Sequence, residues 1–358
     1  MIVIADDITG AAEIAGMAGD DTIVIATDTR SLSEEDAVAE TKRIVSKHNL
    51  SKESHIFKKT DSALRGNIVA ELSVLMHELG YSKCLLLPQN PSKGRIIRDG
   101  RYYINNVLLH ETSFKFDPEY PATTSSVTQI LQGSTYLSLD SPMQEGINIA
   151  EATCAEDIAM QLAKTDDETL LAGAADLFRV ACPPHKHQSS PLSPKVEMKN
   201  SLPLLIICGS TQSRSLANQP VLQNLDAIEI SMESSVFHGR APIDAWIEKL
   251  KEAYVSSRAL IMTIGHESEG GKEYAIRLRN NMATATVELC KLAKPKTLII
   301  EGGATAFATL TALGWTQFEM EHEFAPGVVA LNHDGTSVIL KPGSYPWGDI
   351  FTSQSDAC

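Results

Sequence analysis

The sequence predicts an α/β protein of two domains, each with a mostly parallel sheet flanked by helices, and a ligand cleft between them. Three observations lead there. Short β-branched runs alternate with helically spaced apolar residues along the whole chain, the pattern of strand–helix layers. At 358 residues the chain has room for about two domains. Near its middle, Cys182-Pro183-Pro184-His185 continues through Pro191 and Pro194 with serines and little apolar content, the composition of a linker. The boundary falls near residue 190, giving domains 1–190 and 191–358.

Taken in order, Ile2-Val3-Ile4-Ala5 reads as a buried strand, Asp6 to Gly10 as a turn, and Ala11 to Ala18 as a small-residue helix able to pack closely on a sheet. Thr22 to Ala26 is the next strand, ending near Asp28 and Arg30, and His55 to Lys59 is the third. Ile68, Leu72, Leu75, Met76 and Leu79 then recur at helical spacing, with Gly80 as the stop. Lys83 to Leu87 returns as a strand, broken by Pro88. In the second half, Leu204 to Cys208 runs into Gly209-Ser210-Thr211-Gln212-Ser213, and Thr297 to Ile300 runs into Glu301-Gly302-Gly303-Ala304-Thr305.

Composition narrows the function. The 31 Lys+Arg against 45 Asp+Glu leave a formal charge of -14, which argues against nucleic acid and anionic membrane as partners. An anionic ligand must be held locally, by a few placed cations and backbone N–H groups. The six cysteines are scattered and form no Cys-x-x-Cys pair, as in a reduced protein. The start carries two aspartates rather than a cationic leader, and no apolar run reaches membrane-span length. A soluble, cytoplasmic protein is expected.

Open parallel sheets bind ligands beyond the carboxyl ends of their strands. In the first half those positions hold Asp6 and Asp7, then Arg30, then Lys59-Thr60-Asp61-Ser62 with Arg65 and Asn67. Lysine and arginine hold carboxylates, while aspartate accepts hydrogen bonds from hydroxyls or takes a proton. Asp7 and Ser62 read equally as helix caps. In the second half the strand ends are rich in glycine and hydroxyls: Gly209-Ser210, Gly302-Gly303 and a third turn at Lys341-Pro342-Gly343. Backbone N–H groups exposed there, at helix starts, suit phosphate. Gly265 to Lys272 fails as a P-loop, because the lysine is misplaced and Glu273 stands where Ser or Thr is needed. No Gly-x-Gly-x-x-Gly follows the first strand, no Gly-x-Ser-x-Gly elbow occurs, and Cys182, His185 and His187 lack a second zinc cluster.

Together and in order, these loops resemble the four-carbon acid sugar kinase family over nearly the whole chain. Ala5-Asp6-Asp7-Ile8-Thr9-Gly10-Ala11 is similar to its ADD-(L/I/F)-TGA signature. Lys58 through Ile68 is similar to its KK-x-DSTLRGN segment, with Ala63 in place of threonine. Asn90-Pro91-Ser92-Lys93-Gly94-Arg95, continuing to Asp99-Gly100, fits a P-x-x-GR segment. The resemblance implies an N-terminal domain for the sugar acid and a C-terminal domain for ATP. It places Asp7, Arg30 and Lys59-Thr60-Asp61-Ser62 on substrate, with Arg65, Asn67 and Arg95 in the same segments. It places Gly302, Gly303, Ala304, Thr305 and Gly343 on ATP. The first nucleotide loop is longer than the usual GS-x-S, so Ser210 and Ser213 both stand as its contact. Tyr345-Pro346-Trp347-Gly348 stands where Phe-Gly is common. The KK-x-DS form is closer to members acting on threonate or erythronate than to those acting on 3-oxo-tetronate.

The expected reaction is ATP-dependent phosphorylation of the terminal hydroxyl of such an acid. Arg30, Lys59 or Arg65 would anchor the carboxylate. Asp7 would take the hydroxyl proton, with Asp61 as the alternative, and Mg²⁺ would bridge phosphate oxygens without an assigned set of protein ligands. A kinase for another polyhydroxy acid and a non-catalytic sensor of both ligands are the competing readings. A homodimer is expected only because closed symmetric oligomers are common.

Overall fold

The structure, a computed structural model, describes residues 1–19, 21–117, 119–182, 202–209, 226–264, 271–325 and 327–343. The linker at 183–194 lies outside them, as do Ser210, Ser213 and the stretch 345–348. The chain divides into two compact units, Met1–His187 and Gln188–Cys358.

The first unit runs β1 (Ile2–Ala5), α1 (Ile8–Ala15), β2 (Ile23–Ala26), α2 (Glu34–Lys47), β3 (Ile56–Lys59), α3 (Ile68–Leu79), β4 (Lys83–Leu87), β5 (Arg95–Arg98), β6 (Arg101–Ile104), β7 (Val107–Leu108), α4 (Val127–Ile130), β8 (Ser134–Leu137), β9 (Gly146–Ala150), α5 (Ala155–Leu162), β10 (Thr169–Gly173) and α6 (Ala175–Ala181). Seven strands form one parallel sheet in the order β2-β1-β3-β10-β4-β9-β8. Successive residues alternate between its faces. Ile4, Leu86 and Leu170 join α3 (Leu72, Leu75) and α2 (Ile44) on one side. Val3, Phe57 and Leu85 join Ile14, Ile158 and Phe178 of α1, α5 and α6 on the other. Both faces are covered, which is why these strands read as continuous apolar runs rather than as alternating ones.

Local sequence explains the helix ends. Ser33 caps α2 by accepting from the Asp36 N–H at 3.1 Å, with Glu34, Glu35 and Asp36 in the first turn and Lys47 in the last. Gly80 stops α3 in the left-handed region at φ 75. Helix α1 begins three residues before the expected Ala11. Asp7 caps it, accepting from the Gly10 N–H at 2.8 Å, and Gly10 lies inside the first turn rather than before it. A Cβ on residue 10 would sit 2.7 Å from Asp7 Oδ1 and 3.1 Å from Lys59 Nζ, so the glycine makes room for charged groups.

β5, β6 and β7 form a separate antiparallel sheet. Its turns are Asp99-Gly100 and Asn105-Asn106, with φ of 50, 69, 50 and 64, the two-residue turns that match strand twist.

The second unit runs β11 (Leu204–Cys208), β12 (Ile228–Met232), α7 (Ser234–Phe237), α8 (Asp244–Ser257), β13 (Ala259–Ile264), α9 (Lys272–Leu292), β14 (Thr297–Glu301), α10 (Gly303–Ala312), β15 (Glu319–Ala325), β16 (Val328–His333) and β17 (Thr336–Lys341). Its sheet order is β12-β13-β11-β14-β17-β16-β15, parallel except for the β17-β16-β15 meander. No described helix is long and apolar enough to cross a membrane.

Lys58 on β3 is 1% exposed and pairs with Glu71 of α3 at 2.5 Å; Glu71 also accepts from Thr29 Oγ1 at 2.9 Å. Removing one member leaves the other charge buried and unpaired, which costs roughly 3–5 kcal/mol. Glu71→Gln should therefore lower urea stability at pH 7 by about that amount. A Lys58→Met/Glu71→Leu double variant should lose less than Glu71→Gln alone.

Candidate functional site

In the first sheet the chain leaves β1 toward β2 on one side and reaches β3 on the other. β1 and β3 therefore flank the topological switch point, where open α/β sheets hold ligands. The residues after these two strands are Asp6-Asp7 and Thr60-Asp61-Ser62. The loop after β2 adds Arg30, carried on a 3₁₀ turn (Thr29–Ser31) behind Asp28 at φ 54.

Arg30 ties them together. Its Nε donates to Asp6 Oδ2 at 2.8 Å and its NH1 to Asp7 Oδ2 at 3.1 Å. Its NH2 lies 3.0 Å from Asp7 Oδ1 and 3.4 Å from Asp61 Oδ1. Asp7 also accepts from Thr9 Oγ1 at 2.5 Å. Burial pushes the Asp7 carboxyl up, but Arg30, Lys59 and the hydrogen bonds from Thr9 and Gly10 outweigh it and hold the group below its ordinary value. Asp7 is a buried carboxylate that stays ionised, and it is also the cap of α1.

Asp61 is bound more heavily. Its two oxygens accept the Nε and NH2 of Arg65, both at 2.9 Å, and Oδ2 also accepts the backbone N–H groups of Ala63 and Arg65. Burial is again outweighed, here by Arg30, Arg65 and, more weakly, Arg95, and the carboxyl lies well below its usual range. Arg65 reaches on to Asp117 through NH1 at 3.1 Å. The methyl of Ala63 is buried, and the residue contributes its N–H.

The remaining expected residues divide into those facing the cluster and those supporting it. Lys59 Nζ donates to its neighbour's carbonyl at Thr60 and lies 3.9 Å from Glu13, which pairs with Lys93 at 2.5 Å. Thr60 is fully buried, and its hydroxyl has no partner among the described residues. Ser62 Oγ accepts from Arg95 NH1, and its carbonyl accepts from the Tyr102 hydroxyl. Asn67 instead serves the scaffold: its amide donates to the carbonyls of Thr29 and Leu32, both at 3.1 Å, fixing the loop that carries Arg30. Gly66, at φ 89, lets that loop approach, since a Cβ there would lie 3.1 Å from Arg30 Cγ.

Sequence reasoning passed over Asp117, Tyr102, Phe114 and Tyr120, whose hydroxyl donates to the Arg30 carbonyl. All four lie on or after the β5–β7 hairpin, and Asp99-Gly100 was the local signal for it.

In the second unit β11 and β14 are adjacent and flank the corresponding switch point. Gly302, at φ 97, caps α10 without a side chain, so the first N–H groups of that helix, at Gly303, Ala304 and Thr305, have no side-chain cap. Gly209 packs against the first turn of α10, where a Cβ would lie 2.1 Å from Thr305 Oγ1. Beneath, Lys341 pairs with Glu301 at 2.5 Å, both 1% exposed, and Gly302 donates its N–H to the Lys341 carbonyl at 2.9 Å. Gly343 follows two residues after β17. Glycine backbone at a helix start with uncapped N–H groups is phosphate-binding chemistry.

A carboxyl whose folded value lies below its unfolded value near 3.8 contributes stability above that pH, and the contribution fades as pH falls through the folded value. The acid limb of thermal stability should therefore begin only below about pH 4. Asp61→Asn should lower Tm at pH 7 and shrink the further drop between about pH 4 and pH 2, as read by circular dichroism.

Comparison with known proteins agrees with this division. A family model described as a sugar-binding N-terminal domain matches residues 1–177, and one described as a nucleotide-binding C-terminal domain matches residues 205–345. The D-threonate kinase of Salmonella typhimurium is 24% identical, over 96% of this chain and 95% of that one. The 3-oxo-tetronate kinase of Pseudomonas fluorescens is 23% identical, over 98% and 95%. The D-erythronate kinase of Heliobacterium modesticaldum is 29% identical over 38% of this chain and 32% of its own. Crystal structures of a Haemophilus influenzae protein (TM-score 0.65, 19% identity, 98% of both chains) and a Salmonella typhimurium protein (TM-score 0.67, 18% identity, 96% of both) share the fold. With both domain models matched in order along the chain, this protein belongs to the four-carbon acid sugar kinase family.

Proposed function

We propose that this chain transfers the γ-phosphoryl group of ATP to the terminal, 4-hydroxyl of a four-carbon sugar acid such as threonate or erythronate. Residues 1–190 would hold the acid and residues 191–358 the nucleotide. The observation that carries the reading is the Arg30 cluster: buried, ionised aspartates and fixed guanidinium groups gathered at a switch point, as a small hydroxylated anion requires.

In the reaction the sugar hydroxyl oxygen forms a bond to the γ-phosphorus, the bond to the β-phosphate oxygen breaks, and ADP leaves. Phosphoryl transfer is mostly positioning and charge stabilisation, so the protein needs to orient the hydroxyl and accept its proton late. Asp7 fits that task. Its carboxylate accepts hydrogen bonds from Thr9, Gly10 and Arg30, whereas Asp61 accepts the Nε and NH2 of Arg65 and two backbone N–H groups. Asp61 is therefore assigned to positioning Arg65, and Asp7 to the proton. On the nucleotide side, Gly302, Gly303, Ala304 and Thr305 would cradle phosphate with backbone N–H groups, Gly343 would line the same end of the sheet, and Ser210 or Ser213 would complete the loop. Bound on the nucleotide's phosphates, Mg²⁺ would supply neutralisation of their charge.

The test is ADP release from Mg-ATP with D-threonate, L-threonate, D-erythronate and L-erythronate, with mass spectrometry of the product. One stereoisomer should yield a monophosphate, and silence on all four with ATP still bound would retire the substrate class. Asp7→Asn keeps a competent helix cap, so the fold and ATP binding should persist while kcat falls by roughly 10²–10⁴-fold. Gly209→Ala should raise the KM for ATP and leave that for the acid unchanged, because its Cβ would displace the loop from Thr305.

A further inference from the structure

We propose that Arg95 is the group that binds the substrate's carboxylate, with Phe114 as the platform that holds its guanidinium; this rests on the sugar-acid reading above and names the anchor within that site. Three cations were the expected anchors, and the geometry sets a carboxylate of the protein within ion-pair distance of each. Arg30 is matched by Asp6 and Asp7, and Arg65 by Asp61 and Asp117. Lys59 lies beside Glu13 and donates to the Thr60 carbonyl. A guanidinium already held by two carboxylates has little left to offer a third.

Arg95 differs. It is half-buried at the start of β5, and among the described residues no carboxylate lies within ion-pair distance of it. Its hydrogen bond there is from NH1 to Ser62 Oγ, so most of its five N–H donors are unassigned. Ser62 is itself pinned, through its carbonyl, by the Tyr102 hydroxyl. The Phe114 ring lies 5.7 Å from the Arg95 guanidinium carbon and 5.4 Å from that of Arg65. An aromatic face orients a cation without neutralising it. Two guanidinium groups thus share one ring; Arg65 pairs with carboxylates at contact distance, while Arg95 acts on Asp61 only through space. The open fork of Arg95 would receive a planar carboxylate in the bidentate geometry arginine favours. The far hydroxyl of the acid must then reach Asp7, which Arg30 links to Asp61 beside Ser62.

The consequence is specificity for the acid over the neutral polyol. The experiment reads binding rather than turnover: titration calorimetry of the four C4 acids and of threitol, without nucleotide. Wild type should bind at least one acid, and Arg95→Gln should weaken that binding by about 30-fold or more, as expected for a charged hydrogen-bonded pair. Arg95→Lys, which keeps the charge and loses the fork, should fall between. Threitol binding should be the same in all three, so that the preference for acid over polyol collapses. Equal weakening of acid and threitol would mean a structural role and overturn the assignment. Unchanged acid binding in Arg95→Gln, or no acid bound by wild type, would overturn it too. Arg95-dependent binding without ADP formation would retire the kinase reading while leaving the anchor in place.

Discussion

The first unit is organised around one buried guanidinium. Arg30 bridges three aspartates that come from two strand ends, and each would be costly to bury alone. Burial of these carboxylates is tolerated because Lys59, Arg65 and Arg95 add their charges to that of Arg30. The surrounding structure supports that arrangement: Asn67 and Tyr120 hold the Arg30 backbone, Gly66 lets it approach, and Gly10 leaves space for Asp7. The same cluster keeps Asp7 ionised at the expense of its basicity. That compromise suits a reaction in which orientation matters more than proton abstraction.

Each unit also has a buried lysine–glutamate pair near its ligand loops. Lys58–Glu71 lies under the loop carrying Arg30, through Thr29, and Lys341–Glu301 lies under Gly302. Such pairs contribute little net stability compared with apolar packing, but breaking them is expensive. Their placement directly beneath loops that must keep one conformation connects packing energetics to function.

On the proposed reading the two units would meet their ligands by different physics. The first would use charged side chains in a low-dielectric site, where a guanidinium that no carboxylate contacts would receive the anion. The second would use backbone N–H groups at a helix start, where glycine at positive φ and a close approach to Thr305 set the geometry. On that reading a chain of net charge -14 would hold two anions through local attraction rather than its overall field.

The sequence by itself determined six of the described strands and drew attention to much of the candidate site. Short apolar runs marked β1, β3, β4, β11 and β14, and the polar residues after β1, β2 and β3 stood out because parallel sheets place ligands at strand ends. Gly80 and the apolar spacing of α3 were likewise local signals. What only the tertiary structure decided was which charges neutralise which. Arg30, Arg65 and Arg95 are equivalent as letters. They differ because Asp117 and Phe114 arrive from a segment about fifty residues beyond Arg65, after the β5–β7 hairpin. Asn67, expected on the ligand, also fastens a loop, since its amide N–H groups meet the carbonyls of Thr29 and Leu32 only in the folded chain. Pairing of charges is a long-range property, and spacing along a sequence does not encode it.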